Sequence, residues 1–245
     1  MRLFIVYILL ISFGWLLSSF DFNSNEPNDK SFIIIELFTS QGCSSCPAAD
    51  KLLSNLMASN DRILALSFHV SYWNYLGWKD PYSKEEFTNR QRKYSRVMGL
   101  SRVYTPQMII NGQDEFVGSN KKYAEQSLKE ALSKNTLHKI KLSLNIEGKS
   151  IKGQYTLAGS TSGYMINLAL VERDVSNIVP RGENSGRTLH HDNVVRSFKT
   201  IEAHNTGEVS INLPSGIAIE KSIIIAYVQH SETLKITGAA KHNLN

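Results

Sequence analysis

Residues 32–53 read FIIIELFTSQGCSSCPAADKLL. The apolar run from Phe32 to Phe38 predicts a buried strand, and the polar turn after it delivers Cys43-Ser44-Ser45-Cys46 to the start of a helix. Pro47 then stands in the first helical turn, where a missing N–H costs nothing. A strand, a Cys-x-x-Cys and a helix in that order form a redox signature. A cysteine at a helix N-terminus faces free N–H groups and the positive end of the helix dipole, which favour thiolate over thiol. Cys43 is therefore the expected nucleophile, and Cys46, one turn into the helix, the residue that resolves a mixed disulfide.

Two structural readings stand beside that one. A staple closing four residues removes little entropy from the unfolded chain, roughly 2 kcal/mol, far less than a bridge between distant residues. Half of a zinc site needs two more ligands, and the chain has no second Cys-x-x-Cys and no His-x3–5-His.

The next apolar run, Ile63 to Val70, follows a helix of about one dozen residues, making a βαβ unit whose crossover forces its strands parallel. Reactive groups in such sheets gather beyond the carboxyl ends of the strands. His69 and the aromatic stretch Ser71 to Trp78, with Tyr72, Trp73 and Trp78, should therefore lie beside the thiols as a substrate-binding surface. His69 could stabilise the Cys43 thiolate, join a metal site or simply be hydrogen-bonded. A helix over Pro81 to Leu100 follows, with Phe87, Tyr94 and Met98 on one face. Two short apolar segments around Asn111-Gly112 signal a hairpin, and Lys121 to Lys134 a closing helix.

From Leu137 the pattern becomes short β segments: 138–146, 150–157, 164–172, 193–201, 207–213 and 222–230, with 236–240 a final edge strand. A small all-β, sandwich-like domain over 137–245 is the economical reading. The loop Val179-Pro-Arg-Gly-Glu-Asn-Ser-Gly-Arg-Thr-Leu189 holds Arg181 and Arg187 among glycines, which suggests a shaped loop that binds a carboxylate or the other domain through its guanidinium groups, the alternative being a solvent-exposed crossover within the sandwich. His190 and His191 are adjacent, would point to opposite sides of a strand and cannot share a metal, so no metal ligands are assigned.

Residues 1–20, one Arg and then an apolar core with two serines after it, read as a signal peptide or an uncleaved N-terminal anchor, and 21–31 as a linker. The remainder is then exported, to the periplasm or beyond, where a lone Cys-x-x-Cys can be oxidised. The formal net charge of +5 is modest, and the basic residues between Lys84 and Arg102 read as a solvated helix face rather than a nucleic-acid surface.

The order βαβ, helical insertion, ββα resembles the thioredoxin fold over 32–136, with the insertion at about 71–102. The closer resemblance is to the DUF1223 family of predicted secreted proteins, through ELFTSQGCSSCPAAD, LSFHVSYWNYLGWKDPYS, FTNRQRKY, VYTPQMIINGQDEFVGS, RGENSGRTL and VVR. It implies a thioredoxin-like domain and no established substrate. It also implies a cis peptide at Pro106, facing the cysteines, with Thr105 before it tuning redox behaviour. Glu36, seven residues before Cys43, stands near the strand position where thioredoxins hold a buried carboxylate that accepts a proton, though one residue further from the cysteines. The expected activity is thiol–disulfide exchange on protein or peptide thiols, with no cofactor beyond the Cys43–Cys46 disulfide and an unidentified redox partner. The alternative is a binding module that holds a peptide, or a metal through Cys43, Cys46 and His69.

Overall fold

The computed structural model describes residues 32–244, so the signal segment and the linker expected at 1–31 lie outside the described residues. The first strand, β1 (Ile33–Thr39), is buried along its whole length, as its unbroken apolar run requires. Helix α1 (Cys46–Ser59) follows, with Pro47 in its first turn, and β2 (Ile63–His69) returns parallel to β1, Thr39 standing opposite His69. Helix α2 (Glu85–Val97) fills the expected insertion. Strands β3 (Gln107–Ile110) and β4 (Asp114–Val117) then form the hairpin signalled by Asn-Gly, with Asn111 and Gly112 both at positive φ. β3 lies antiparallel to β1, and α3 (Lys121–Leu132) closes this half.

The β segments of the second half run close to where they are expected: β5 (Lys139–Glu147), β6 (Ser150–Ala158), β7 (Tyr164–Glu172), β10 (Val194–Glu202), β11 (Thr206–Asn212), β12 (Ser222–His230) and β13 (Ile236–Asn243). Two further strands, β8 (Val175–Ile178) and β9 (Thr188–His191), pair with each other as a separate hairpin whose tip is the Arg181–Arg187 loop.

The second half is not a free-standing sandwich. Strands β13-β12-β7-β10 continue into β2-β1-β3-β4 as one eight-stranded sheet. The join is a short parallel bridge between Val194 and Ser67, reinforced where Asn193 Nδ2 donates to Ala65 O (2.8 Å) and Ser67 Oγ donates to Asp192 O (2.8 Å). β2 can be extended this way because its outer edge is otherwise unpaired, a position that globular proteins cover.

Alternation along the strands assigns the faces. Ile34, Phe38, Phe68, Val171, Ile225 and Tyr227 point to the side that carries Phe87 and Tyr94 of α2. On the opposite side, Ile33, Ile35 and Leu37 pack against Ala49, Leu53 and Leu56 of α1 and Leu128 of α3. Further along that side the three-stranded sheet β11-β6-β5 sets Ile140, Tyr155 and Leu157 against Leu168, Leu170 and Ile224. That layer supplies the sandwich-like part expected from the sequence, but it is built onto the shared sheet.

Candidate functional site

Cys43 and Cys46 are joined by a disulfide with their Cα atoms 5.5 Å apart, Cys46 being the first residue of α1. Both are enclosed, at 1 % and 0 % exposure, whereas Ser44 and Ser45 between them are exposed. The backbone turn is set by Cys43 N–H donating to Ser40 O and Cys46 N–H to Cys43 O. Gly42 is required beside it, since a Cβ there would stand 2.9 Å from Cβ of Trp73.

Trp73 ties this turn to the loop before β3. Its indole N–H donates to Thr105 Oγ1 at 2.8 Å, and the Thr105–Pro106 peptide is cis. Pro106 is buried, its O accepts from Gly118 N–H, and a Cβ at Gly118 would meet both Pro106 and Ala49 of α1, so the proline loop lies against the cysteine helix. Tyr72 points away toward α2, where its hydroxyl donates to Gln91 Oε1 (3.2 Å); burial pushes its pKa up to about 12.

The β8–β9 hairpin lies over the disulfide turn. Asn184 is buried and its Nδ2 donates to Gln41 O and Cys43 O, both at 2.9 Å, while Arg187 Nη1 donates to Asn184 Oδ1 at 2.7 Å and fixes that amide. The Ser44 N–H donates to Glu183 Oε2 at 2.9 Å, a contact that lowers the Glu183 pKa. Arg187 thus acts on the turn through Asn184, and Arg181 is exposed at the tip, with its side chain beside Gly77. The carboxylate here, Glu183, belongs to the loop itself, and the contact with the cysteine turn is made by Asn184 and Glu183 rather than by the guanidinium groups expected from the sequence.

Beneath the turn lies a buried polar cluster. His69 Nδ1 donates to Asp80 Oδ2 (2.7 Å), and Asp80 also accepts from the N–H groups of Gln41 and Tyr82, both at 2.9 Å. Burial opposes its charge, but His69 and these N–H groups hold the Asp80 carboxyl below the usual range. His191, delivered by β9, stacks edge-on to His69 with ring centroids 4.7 Å apart, and its Nδ1 is 3.4 Å from Asp50 Oδ2 on α1. Burial also opposes a charge on His191, yet Asp50, with Asp80 and Asp192, holds its pKa above the ordinary histidine value. His190 is exposed on the other face, as expected for neighbours on a strand. Among the described residues no three His, Cys, Asp or Glu side chains are arranged to hold a metal ion.

Glu36 is not part of this site. Its strand position sends it through the sheet to the face that carries α2, where it pairs with Arg90 (2.7 Å) and accepts from the Tyr94 and Tyr227 hydroxyls. Arg90 in turn lies over the Phe68 and Phe198 rings, 5.5 and 4.9 Å from their centroids. This ionic cluster ties β1, α2 and β12 together and cannot serve the cysteines as a base. Asp50, Asp80, Gln41 and His191 are the residues around the turn that sequence reading missed. One signal for Asp50 was present: it occupies a core position of the stripe Cys46, Ala49, Asp50, Leu53, where a charge needs a reason.

Residues 34–229 match the model of a family described as a protein of unknown function, DUF1223. No curated protein matches the chain. Among solved structures, protein AGR_C_4864 from Agrobacterium tumefaciens is similar at 27% identity and a TM-score of 0.64, over 87% of this chain and 94% of that one. HBP35 of Porphyromonas gingivalis is similar at 15% identity and a TM-score of 0.66, over 88% of this chain and 76% of that one, a likeness of fold alone. Among the described residues no helix is long and apolar enough to cross a membrane.

Proposed function

The chain belongs to the DUF1223 family, and from that premise we propose that it is an exported, thioredoxin-like thiol–disulfide exchange protein acting on protein or peptide thiols through Cys43 and Cys46. One observation carries the reading: a disulfide at the N-terminus of a helix, with a partly uncompensated buried carboxylate one helical turn behind Cys46. A staple does not need the carboxylate. The sheet order β4-β3-β1-β2 and the α1 crossover support the thioredoxin-like assignment of 32–136. Trp73 and Thr105 line the approach, and the β half supplies the hairpin that governs access.

The near-complete enclosure of Cys43 favours a second reading, a binding module whose disulfide only shapes the turn. Exchange requires the hairpin tip to lift from Cys43. The two readings part in one experiment: the oxidised protein is mixed with a dithiol peptide, and both partners are followed by mass after alkylation. One peptide disulfide formed per Cys43–Cys46 pair reduced supports exchange; an unchanged pair and peptide leave the binding module.

A further inference from the structure

The basic residues around α2 do not share one solvated face. Arg92 is exposed and pairs with Glu85 (2.8 Å), and Lys84 donates to Arg196 O (2.7 Å). Arg90, Lys93 and Arg96 instead follow one another at intervals of three, a spacing that sets them side by side on the helix. They line a groove of about 290 Å³ whose other wall is the shared sheet, at Met165 and Asn167 of β7, Phe198 of β10 and Gln229 of β12. That volume is near the lower end for small-molecule pockets, about 300–1,000 Å³.

The groove holds hydrogen-bond donors with no acceptors to match. The Arg90 side chain is only 11 % exposed and is fixed by its inner atoms. Nε donates to Glu36, Nη2 donates to the Tyr227 hydroxyl (2.9 Å) and Gln229 Oε1 (3.1 Å), and the Phe198 ring centroid lies 4.9 Å from the guanidinium. Nη1 has no hydrogen-bond partner among the described residues and is not one of their buried unmet atoms, so it meets solvent where Arg90 lines the groove. Asn167 is buried; its Oδ1 accepts from Thr200 (2.6 Å), and Nδ2 donates to Gln229 Oε1 (3.0 Å), which leaves one amide N–H unused. Gln229 Oε1, accepting from both Arg90 and Asn167, has no lone pair left.

Lys93 and Arg96 have no acidic partner among the described residues. Glu86, the acid at the groove, pairs with Lys84 instead (3.3 Å). Partial burial and the flanking Arg90 and Arg96 hold the Lys93 ammonium below the ordinary lysine value. Like charges so placed repel, and an anion between them removes the repulsion.

We infer that this groove binds a small organic phosphate monoester, its phosphate among Arg90, Lys93 and Arg96 and its organic group against Met165 and Phe198. Glu36 balances Arg90, which leaves the charges of Lys93 and Arg96 for a dianion to match. A phosphate monoester has three terminal oxygens, one for each cation, where a carboxylate has two. The half-buried Met165 and Phe198 give the groove an apolar side that a bare inorganic ion would not use. Arg90 is already fixed by its other bonds, so binding loses little side-chain freedom there. The site does not depend on the exchange reading, since α2 and the cysteine helix α1 lie on opposite sides of the shared sheet.

The test is a titration of the oxidised full chain with phenyl phosphate, followed by backbone-amide NMR shifts. It is run at about pH 8, where a monoester with a second pKa of about 6 is a dianion. Salt of about 0.15 M screens charges more than about 8 Å apart. The expected Kd is below about 1 mM, with saturating shifts in α2, β7 and β10. Inorganic phosphate, which lacks the ring, and benzoate, which lacks one charge and one oxygen, should each bind at least about tenfold more weakly. Lys93 and Arg96 are exposed, so their alanine variants should fold normally. Lys93→Ala and Arg96→Ala should each weaken phenyl phosphate about 10–100-fold, the range of one charge-assisted hydrogen bond. Lys121→Ala removes an equal charge from α3 and should leave the Kd unchanged. The proposal is overturned if the α2 shifts do not saturate, or if Lys121→Ala weakens binding as much as Lys93→Ala. It is equally overturned if inorganic phosphate or benzoate binds as tightly as phenyl phosphate.

Discussion

Replacing Asn184 with alanine should turn the enclosed disulfide into an accessible one. The Asn184 side chain holds the hairpin tip on the cysteine turn with two hydrogen bonds, to Gln41 O and Cys43 O, each 2.9 Å long. A hydrogen bond of this kind contributes about 1 kcal/mol net, and the carbonyls it satisfies regain water when the tip lifts. Removing both destabilises the closed hairpin by about 2 kcal/mol, and at 1.4 kcal/mol per tenfold the open population rises about 30-fold. If opening precedes attack on Cys43, the rate of reduction by glutathione at fixed pH rises by the same factor. Quenching with a maleimide and counting modified thiols by mass measures it. His190→Ala, on the exposed outer face of the same hairpin, should leave the rate unchanged. An Asn184→Ala protein reduced no faster than wild type would refute the idea that the tip controls access.

Three further outcomes follow from the same contacts. Cys46→Ser should trap substrate proteins as mixed disulfides on Cys43, and Cys43→Ser should trap none, as read on non-reducing gels. Glu36→Gln strands the Arg90 guanidinium among aromatic rings and should cost about 3–5 kcal/mol in urea unfolding, while glutathione reduction of the folded protein proceeds at the wild-type rate. Asp80 is held below the ordinary carboxylate range, so the unfolded chain binds its proton first: the stabilisation is complete above the unfolded value near pH 4 and is lost on acidification through the folded value. Asp80→Asn should therefore flatten the acid limb of stability against pH, and an unchanged limb would place the linkage elsewhere.

The elements with strong local signals were legible in the chain. β1 and β2 are continuous apolar runs, α1 has its Cys-x-x-Cys and Pro47 start, and Asn111-Gly112 dictates the β3–β4 turn. The β8–β9 hairpin was not, because strands of four residues with half their side chains exposed carry too little periodicity to distinguish them from a loop. The shared sheet was hidden for a related reason: a β2–β10 bridge of one residue pair leaves no mark on the pattern of either strand. Glu36 shows what parity decides. It is an odd number of residues from Thr39, the strand residue that reaches Asp50, so it must face the opposite side of the sheet. The pairing of His191 with Asp50 joins distant segments, and no local rule announces it.

The central claim, that Cys43 and Cys46 exchange rather than merely fasten a turn, is tested most directly by the reduction potential of the pair in equilibrium with glutathione. An exchanging pair has a potential within reach of that couple, above about −300 mV, with both thiols recovered on reduction and the disulfide reformed on reoxidation. A pair that stays oxidised below about −300 mV is a structural disulfide, and that result would contradict the account.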